Sequence, residues 1–187
     1  MVTDKKREEL SGRDQLRMHM GDGELHLARF EYSAGGIVLR ENTASDAPYL
    51  TRWFNDKDNV KWMDDSDKTY TEESMKKDIE CPGLWTLDMT VVRDGNPIGY
   101  CSIYNIDPEK RDAELSLLIG EKGMQRRGYG NDIVKGMREI GFDILELNRL
   151  KALVSNENER SIRAFKKNDF SPAIAFENED YLELTRQ

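Results

Sequence analysis

The sequence predicts an α/β fold with a mixed, mostly antiparallel sheet flanked by helices. Three stretches carry that prediction. Residues 113–145 read as a short apolar strand, a turn bearing glycine and arginine, and an amphipathic helix. Residues 84–93 (LWTLDMTVVR) and 98–106 are strand candidates joined by Asp94-Gly95-Asn96-Pro97, the pattern of a hairpin. Tyr181-Leu182-Glu183-Leu184 alternates apolar and polar side chains like a closing strand.

In chain order, residues 1–30 are charged and weakly periodic, an N-terminal extension to a domain spanning 31–187. Leu25, Leu27, Ala28, Phe30 and Tyr32 would support a short strand or helix there; a loosely docked arm and a contact across a homodimer both fit. Residues 36–40 (GIVLR) read as the first strand of the domain. Ser45 or Asp46 then caps a helix that carries Pro48 in its first turn, with Leu50, Trp53 and Phe54 on its apolar side. Thr71-Glu72-Glu73-Ser74 opens another helix with acids near its positive end, and Pro82-Gly83 closes it. After the hairpin, Asp107-Pro108-Glu109-Lys110 turns the chain toward Glu114. Leu115, Leu117, Leu118 and Ile119 form a run too short for a typical helix and bounded by Gly120 and Gly123, which favours a strand. From Asn131 the period changes, and Ile133, Val134, Met137, Ile140 and Ile144 recur every three or four residues. Residues 149–155 (RLKALVS) read as the next strand.

The chain has 187 residues, enough for one domain with a substantial core. Its formal net charge of −8 argues against nucleic acid as a partner. No stretch approaches a transmembrane span, and MVTDKKREEL lacks the apolar core of a signal peptide. A cytoplasmic protein with no membrane partner is expected. Cys81 and Cys101 are far apart and only His19 and His26 could join them, so reduced thiols and no metal site are expected.

Between the strand and the amphipathic helix lies Gln125-Arg126-Arg127-Gly128-Tyr129-Gly130. The first turn of a helix has backbone N–H groups without partners, and its aligned dipoles place partial positive charge there. Two glycines let the backbone approach a ligand closely and adopt positive φ, while two arginines match phosphate oxygens. A phosphate or diphosphate is the expected ligand. A Walker loop is excluded because no Gly-Lys-Ser/Thr follows, and a dinucleotide fingerprint because it would need glycine at Ile133.

In this setting the hexapeptide resembles the acetyl-CoA pyrophosphate loop of the GNAT superfamily of N-acetyltransferases, Gln/Arg-x-x-Gly-x-Gly/Ala. The family's second signature, Asn-x-x-Ser/Ala followed by Lys-x-Gly-Phe, is matched after one further strand by Asn158 through Ser161 to Phe170. The opening, Leu39-Arg40 with Ser45-Asp46-Ala47 and Trp53-Phe54-Asn55-Asp56, resembles the branch that includes ribosomal-protein N-terminal, aminoglycoside and polyamine acetyltransferases. The resemblance covers residue 36 to the C-terminus. It implies that Gln125, Arg126, Arg127, Gly128, Tyr129, Gly130 and Asn131 hold the CoA diphosphate, and that Leu117, Leu118 and Ile119 bond the pantetheine arm through their backbone. Asn158, Ser161 and Phe165 fall where the second motif meets the cofactor, although Asn158 would serve equally as a helix cap and Ser161 as a small packing residue.

The implied reaction is direct attack of a primary amine, on a small molecule or a protein N-terminus, on the thioester of acetyl-CoA. The amine must lose a proton first. Period two places Glu114, Ser116 and Leu118 on one strand face. Glu114 is the candidate base, with Ser116 beside it as the second candidate catalytic residue; a pairing of Glu114 with lysine or arginine is the alternative. Many relatives carry a tyrosine acid where this chain has Phe165, which keeps open a non-catalytic CoA-binding module; a longer acyl-CoA is a further alternative. Asp169 replaces the glycine before Phe170, and aspartate tolerates left-handed φ better than most residues. Asp56, Asp58, Asp64, Asp65 and Asp67 crowd the segment around Trp62, where they would steer a cationic acceptor or form a solvated loop. Trp53, Trp62 and Trp85 are expected in the core or the pocket wall.

Overall fold

The computed structural model describes residues 31–63, 66–83 and 85–186. Expectations for residues 1–30, Asp64, Asp65 and Leu84 fall outside it.

The strands are β1 (Glu31–Ala34), β2 (Ile37–Glu41), β3 (Leu87–Arg93), β4 (Asn96–Asp107), β5 (Asp112–Leu118), β6 (Arg149–Ser155), β7 (Ser171–Ala175) and β8 (Glu179–Thr185). The helices are α1 (Ala47–Phe54), α2 (Lys57–Val60), α3 (Glu72–Glu80), α4 (Tyr129–Glu139) and α5 (Glu159–Lys166). The strands form one eight-stranded sheet in the order β1-β2-β3-β4-β5-β6-β8-β7. All neighbours are antiparallel except β5 and β6, which α4 joins in a crossover connection. The α/β reading therefore holds, with the mixed sheet the sequence predicts.

Helices cover both faces. On one, Ile133, Val134, Met137 and Ile140 of the α4 stripe pack with Phe165 of α5 against Leu39, Met89, Cys101, Ile103, Leu115 and Leu150. On the other, Ala47, Leu50 and Trp53 of α1 meet Met75 of α3 and Leu118 of β5. The α4 stripe runs on into a π-turn at Ile140–Ile144, where Ile140 and Ile144 are buried.

Several element bounds differ from those expected. A further strand precedes the one expected at 36–40, since β1 pairs with β2 across Gly35-Gly36. The strand expected at 84–93 begins at Leu87, because Trp85 has a φ of +61°. β7 was not anticipated: all of its residues are exposed and it contains Pro172, which an edge strand accommodates. α2, a single turn capped by Asp56, was also not anticipated.

A buried ion pair fixes the entry to α1. Arg40 donates to both carboxylate oxygens of Asp46 at 2.7 Å, and Asp46 also accepts from the backbone N–H and hydroxyl of Thr43 at 2.8 Å. Burial opposes ionisation of Asp46, but the bonds from Arg40 and Thr43 outweigh it and hold the carboxyl below the usual aspartate range.

Candidate active site

The central strands part at the site. β5 pairs with β6 only over Asp112–Arg149, Ala113–Leu150 and Glu114–Lys151. Beyond that point β5 stays with β4 as far as Leu118, whereas β6 follows β8 to Ser155. A cavity of about 480 Å³ opens at the divergence. Glu114, Ser116 and Leu117 line it from β5, and Asn158, Ser161 and Phe165 from the α5 side. Phe54, Asn59, Trp62 and Tyr70 close it from the α1–α2 side, and Tyr104, Asn105 and Tyr181 from the sheet.

Six of the residues expected to act thus meet in one cavity. Glu114 lies opposite Tyr104, where β4 carries a bulge and Asn105 adopts a φ of +51°. Its carboxylate accepts a long bond, 3.4 Å, from the Asn105 amide. The pairing with lysine or arginine does not form among the described residues. Lys151, the register partner of Glu114, turns instead to Asp112 at 3.4 Å, beside Arg149 at 2.5 Å. Burial opposes ionisation of Asp112 as well, and those two cations reverse it, holding the carboxyl below its ordinary range. With both basic side chains drawn to Asp112, Glu114 faces the cavity uncompensated.

Leu118 is not in the cavity; its side chain is buried in the α1–α3 cluster. Ile119 packs on the main core, and its carbonyl accepts from Gln125 Nε2 at 2.9 Å. Asn158 caps α5, its side chain accepting from Ser161 N–H at 3.2 Å, so the capping alternative is realised while both residues still face the cavity. Phe165 is only 2% exposed and packs edge-on against Phe170 at 5.1 Å. Asp169 takes the left-handed turn with a φ of +70°.

Arg126, Arg127 and Gly128 are exposed at the start of α4. Positive φ falls on Arg126 (+63°) and Gly128 (+93°), whereas Gly130 is already helical, a departure from the expectation that both glycines adopt it. Gly130 matters for space: a Cβ there would meet only Ala164 at 3.9 Å, and one at Gly128 would meet nothing within 4 Å. Among the described residues neither Arg126 nor Arg127 has an ion-pair partner. A helix start, two open glycines and two uncommitted guanidinium groups fit an anion such as the CoA diphosphate. Asn168, 5% exposed, anchors the far side by donating to the carbonyl and side-chain oxygens of Asn131 and to the Ala164 carbonyl.

Residues 37–171 match the family model for the acetyltransferase (GNAT) domain. The chain belongs to the GNAT family of acetyltransferases. An uncharacterized N-acetyltransferase p20 from Bacillus licheniformis is 26% identical over 140 residues, covering 72% of this chain and 78% of its own. Spermidine N(1)-acetyltransferase of Escherichia coli K12 is 26% identical over 140 residues, covering 74% and 75%. A GNAT-family acetyltransferase from Bacillus anthracis superposes with a TM-score of 0.73 at 17% identity, over 83% of this chain and 98% of that one. This GNAT protein is an N-acetyltransferase with acetyl-CoA as co-substrate.

Three of the aspartates around Trp62 have structural partners: Asp56 and Asp58 bind Lys122 at 2.8 and 3.5 Å, and Asp67 approaches Lys57 at 3.8 Å. Trp53 is buried, Trp85 packs on the core, and Trp62 lies in the cavity wall with Lys61 over its ring. Asn59, Tyr70, Tyr104 and Tyr181 escaped sequence reasoning, since they come from four separate segments and no motif joins them. Among the described residues no group of three His, Cys, Asp or Glu could hold a metal ion, and no helix is long and apolar enough to cross a membrane.

Proposed function

We propose that this acetyltransferase acts on a primary amine of a small cationic molecule or a protein N-terminus, with Glu114 as the base. The observation that carries this reading is the Glu114 carboxylate, left without a cation at the point where β5 and β6 part. Glu179 lines the same cavity. A neighbouring cavity of about 290 Å³ shares the Phe54 and Tyr70 walls and adds Asp78 and Asp88, the latter accepting from Tyr100 at 2.6 Å. An ammonium group is favoured in such surroundings.

Acetyl-CoA supplies the thioester that the neutral amine attacks. Arg126, Arg127 and the start of α4 hold the diphosphate; Leu117, Leu118 and Ile119 offer backbone groups to the pantetheine; Asn158, Ser161 and Phe165 face it from α5. Glu114 receives the proton of the ammonium form, and Ser116, next on the same strand face, orients the amine by hydrogen bonding. A β5 amide past Glu114 is available to the oxyanion. As the C–N bond forms the C–S bond breaks, and with no phenol at position 165 the leaving thiolate takes up, through water, the proton that the acylated nitrogen releases. We place the protein in the cytoplasm, where acetyl-CoA is available.

The test is CoA release from acetyl-CoA, screened against polyamines, aminoglycosides, amino acids and short N-terminal peptides. Acceptor-dependent thiol release identifies the substrate class. Glu114→Gln should lower kcat by about 10²- to 10⁴-fold with little change in CoA affinity. Unchanged turnover across pH would remove Glu114 as the base.

A further inference from the structure

We propose that Asn59 couples the acceptor cavity to the cofactor loop, so that each substrate raises the affinity for the other. This coupling presupposes that residues 125–131 hold the CoA diphosphate.

Asn59 stands between the two sites. It belongs to α2 and lines the cavity beside Phe54 and Trp62. Its Oδ1 accepts from Gln125 Nε2 at 3.1 Å, and its Nδ2 donates to the Gly120 carbonyl at 3.2 Å. The Gln125 amide has two protons, and the second is taken by the Ile119 carbonyl at 2.9 Å. Both N–H groups at the head of the phosphate-loop motif are therefore spent inside the protein. Gln125 is a positioning residue whose side chain reaches toward the acceptor wall.

Other links fasten the same two segments. Lys122 binds Asp56 and Asp58, at the N-cap and first turn of α2. Trp53 Nε1 donates to Glu121 at 3.0 Å, and Arg52 pairs with the same carboxylate. The Trp53 ring lies directly on Gly120. Residues 120–125 are thus tied to residues 52–59, while Arg126, Arg127 and Gly128 just beyond are exposed.

α2 has only four residues, too few to persist as a helix by its own hydrogen bonds. Its order depends on what it is fastened to. An anion held at residues 126–131 immobilises the loop, and through Gln125 and Asn59 it immobilises the cavity wall. The second substrate then meets a wall whose ordering cost has already been met, which gives positive cooperativity without displacement. Linkage makes the effect reciprocal for the two binding equilibria.

The experiment compares the wild-type protein, Asn59→Ala and Gln125→Met. It reads CoA affinity by calorimetry, acceptor KM and kcat by thiol release, and hydrogen–deuterium exchange over residues 56–63 with and without CoA. Asn59→Ala should weaken CoA binding about tenfold, although the residue lies outside the loop. Gln125→Met should raise acceptor KM by a similar factor with a smaller change in kcat, and CoA should slow exchange at 56–63 in the wild type only. A role confined to stability would lower Tm and leave the response of 56–63 to CoA intact. Wild-type CoA affinity in folded Asn59→Ala, or exchange at 56–63 that ignores CoA in the wild type, overturns the coupling. Should Asn59→Ala not fold, Gln125→Met decides by the same readouts, since an unchanged acceptor KM sinks the idea equally. A wild-type protein that fails to bind CoA removes the loop reading first, and the coupling with it.

Discussion

Gly128→Asp separates cofactor binding from folding. Gly128 has a φ of +93°, and a Cβ there would meet no protein atom within 4 Å. The cost to folding is therefore conformational rather than steric. Left-handed φ costs an L-residue about 1–2 kcal/mol, with aspartate at the low end. A carboxylate near the start of α4 returns about 0.3–1 kcal/mol through the helix dipole. The net loss stays below about 1 kcal/mol, or a Tm shift of less than about 4 °C for a domain of this size. Binding suffers far more. A carboxylate about 5 Å from two diphosphate charges, at an effective dielectric of about 40, costs roughly 3 kcal/mol. That is more than a hundredfold in Kd. Calorimetric titration with CoA and thermal unfolding of the same preparation measure the two effects. Gly95→Asp, with a φ of +76° and equally open surroundings, controls for the folding cost. A folded Gly128→Asp protein that binds CoA within about threefold of wild type would refute the placement of the diphosphate at this loop.

Gly120→Ala should do the reverse and act first on stability. Its Cβ would stand 2.1 Å from Trp53 Cγ and 2.2 Å from Cδ2, and the Trp53 side chain is 1% exposed with no room to swing away. Overpacking of this kind costs about 1–3 kcal/mol or more, seen as a lower urea midpoint; an unchanged midpoint contradicts the packing described. Asp46→Asn keeps the shape but removes the paired acceptor for Arg40, at a cost of about 1.5–3 kcal/mol near neutral pH. Because Asp46 is held below its ordinary range, its stabilisation is present above the unfolded pKa of about 4 and is lost as pH falls through the lower folded value. The difference between wild type and variant in chemical denaturation should be full at about pH 6–7 and shrink as pH falls below the unfolded value of about 4; a gap that stays constant into acid would assign the effect to packing instead.

What could be read from the sequence was what is local in the sequence. The stripe Ile133, Val134, Met137 and Ile140 is a property of one helix, and α4 buries it as expected. β6 runs from Arg149 to Ser155, the bounds its composition suggested. The turn between β5 and α4 was legible because its glycines, arginines and helix start are contiguous. β7 was not, because an exposed edge strand needs neither alternation nor a proline-free run. α2 was not, because one turn has no period to detect. Gln125 was assigned to the cofactor from its place in the motif, yet its amide points to Asn59, 66 residues earlier in the chain. No spacing rule connects those two.

The state of Glu114 shows why a site can be half legible. Alternation along β5 places Glu114 and Ser116 on one face, and both line the cavity. Whether Glu114 is free to act depends on something the strand itself does not contain. It depends on β6 entering in parallel register with Lys151 opposite Glu114, and on Asp112 lying two residues back to draw that lysine away. The same three-residue pairing then ends, and β6 turns to β8 while β5 remains with β4. One register therefore sets both properties of the site. It neutralises the cations beside Glu114 and opens the cavity immediately beyond it. A shift of β6 by one residue would put Lys151 out of step with Glu114 and move alternate side chains to the other face. The base role proposed for Glu114 is for this reason a statement about strand pairing as much as about a carboxylate.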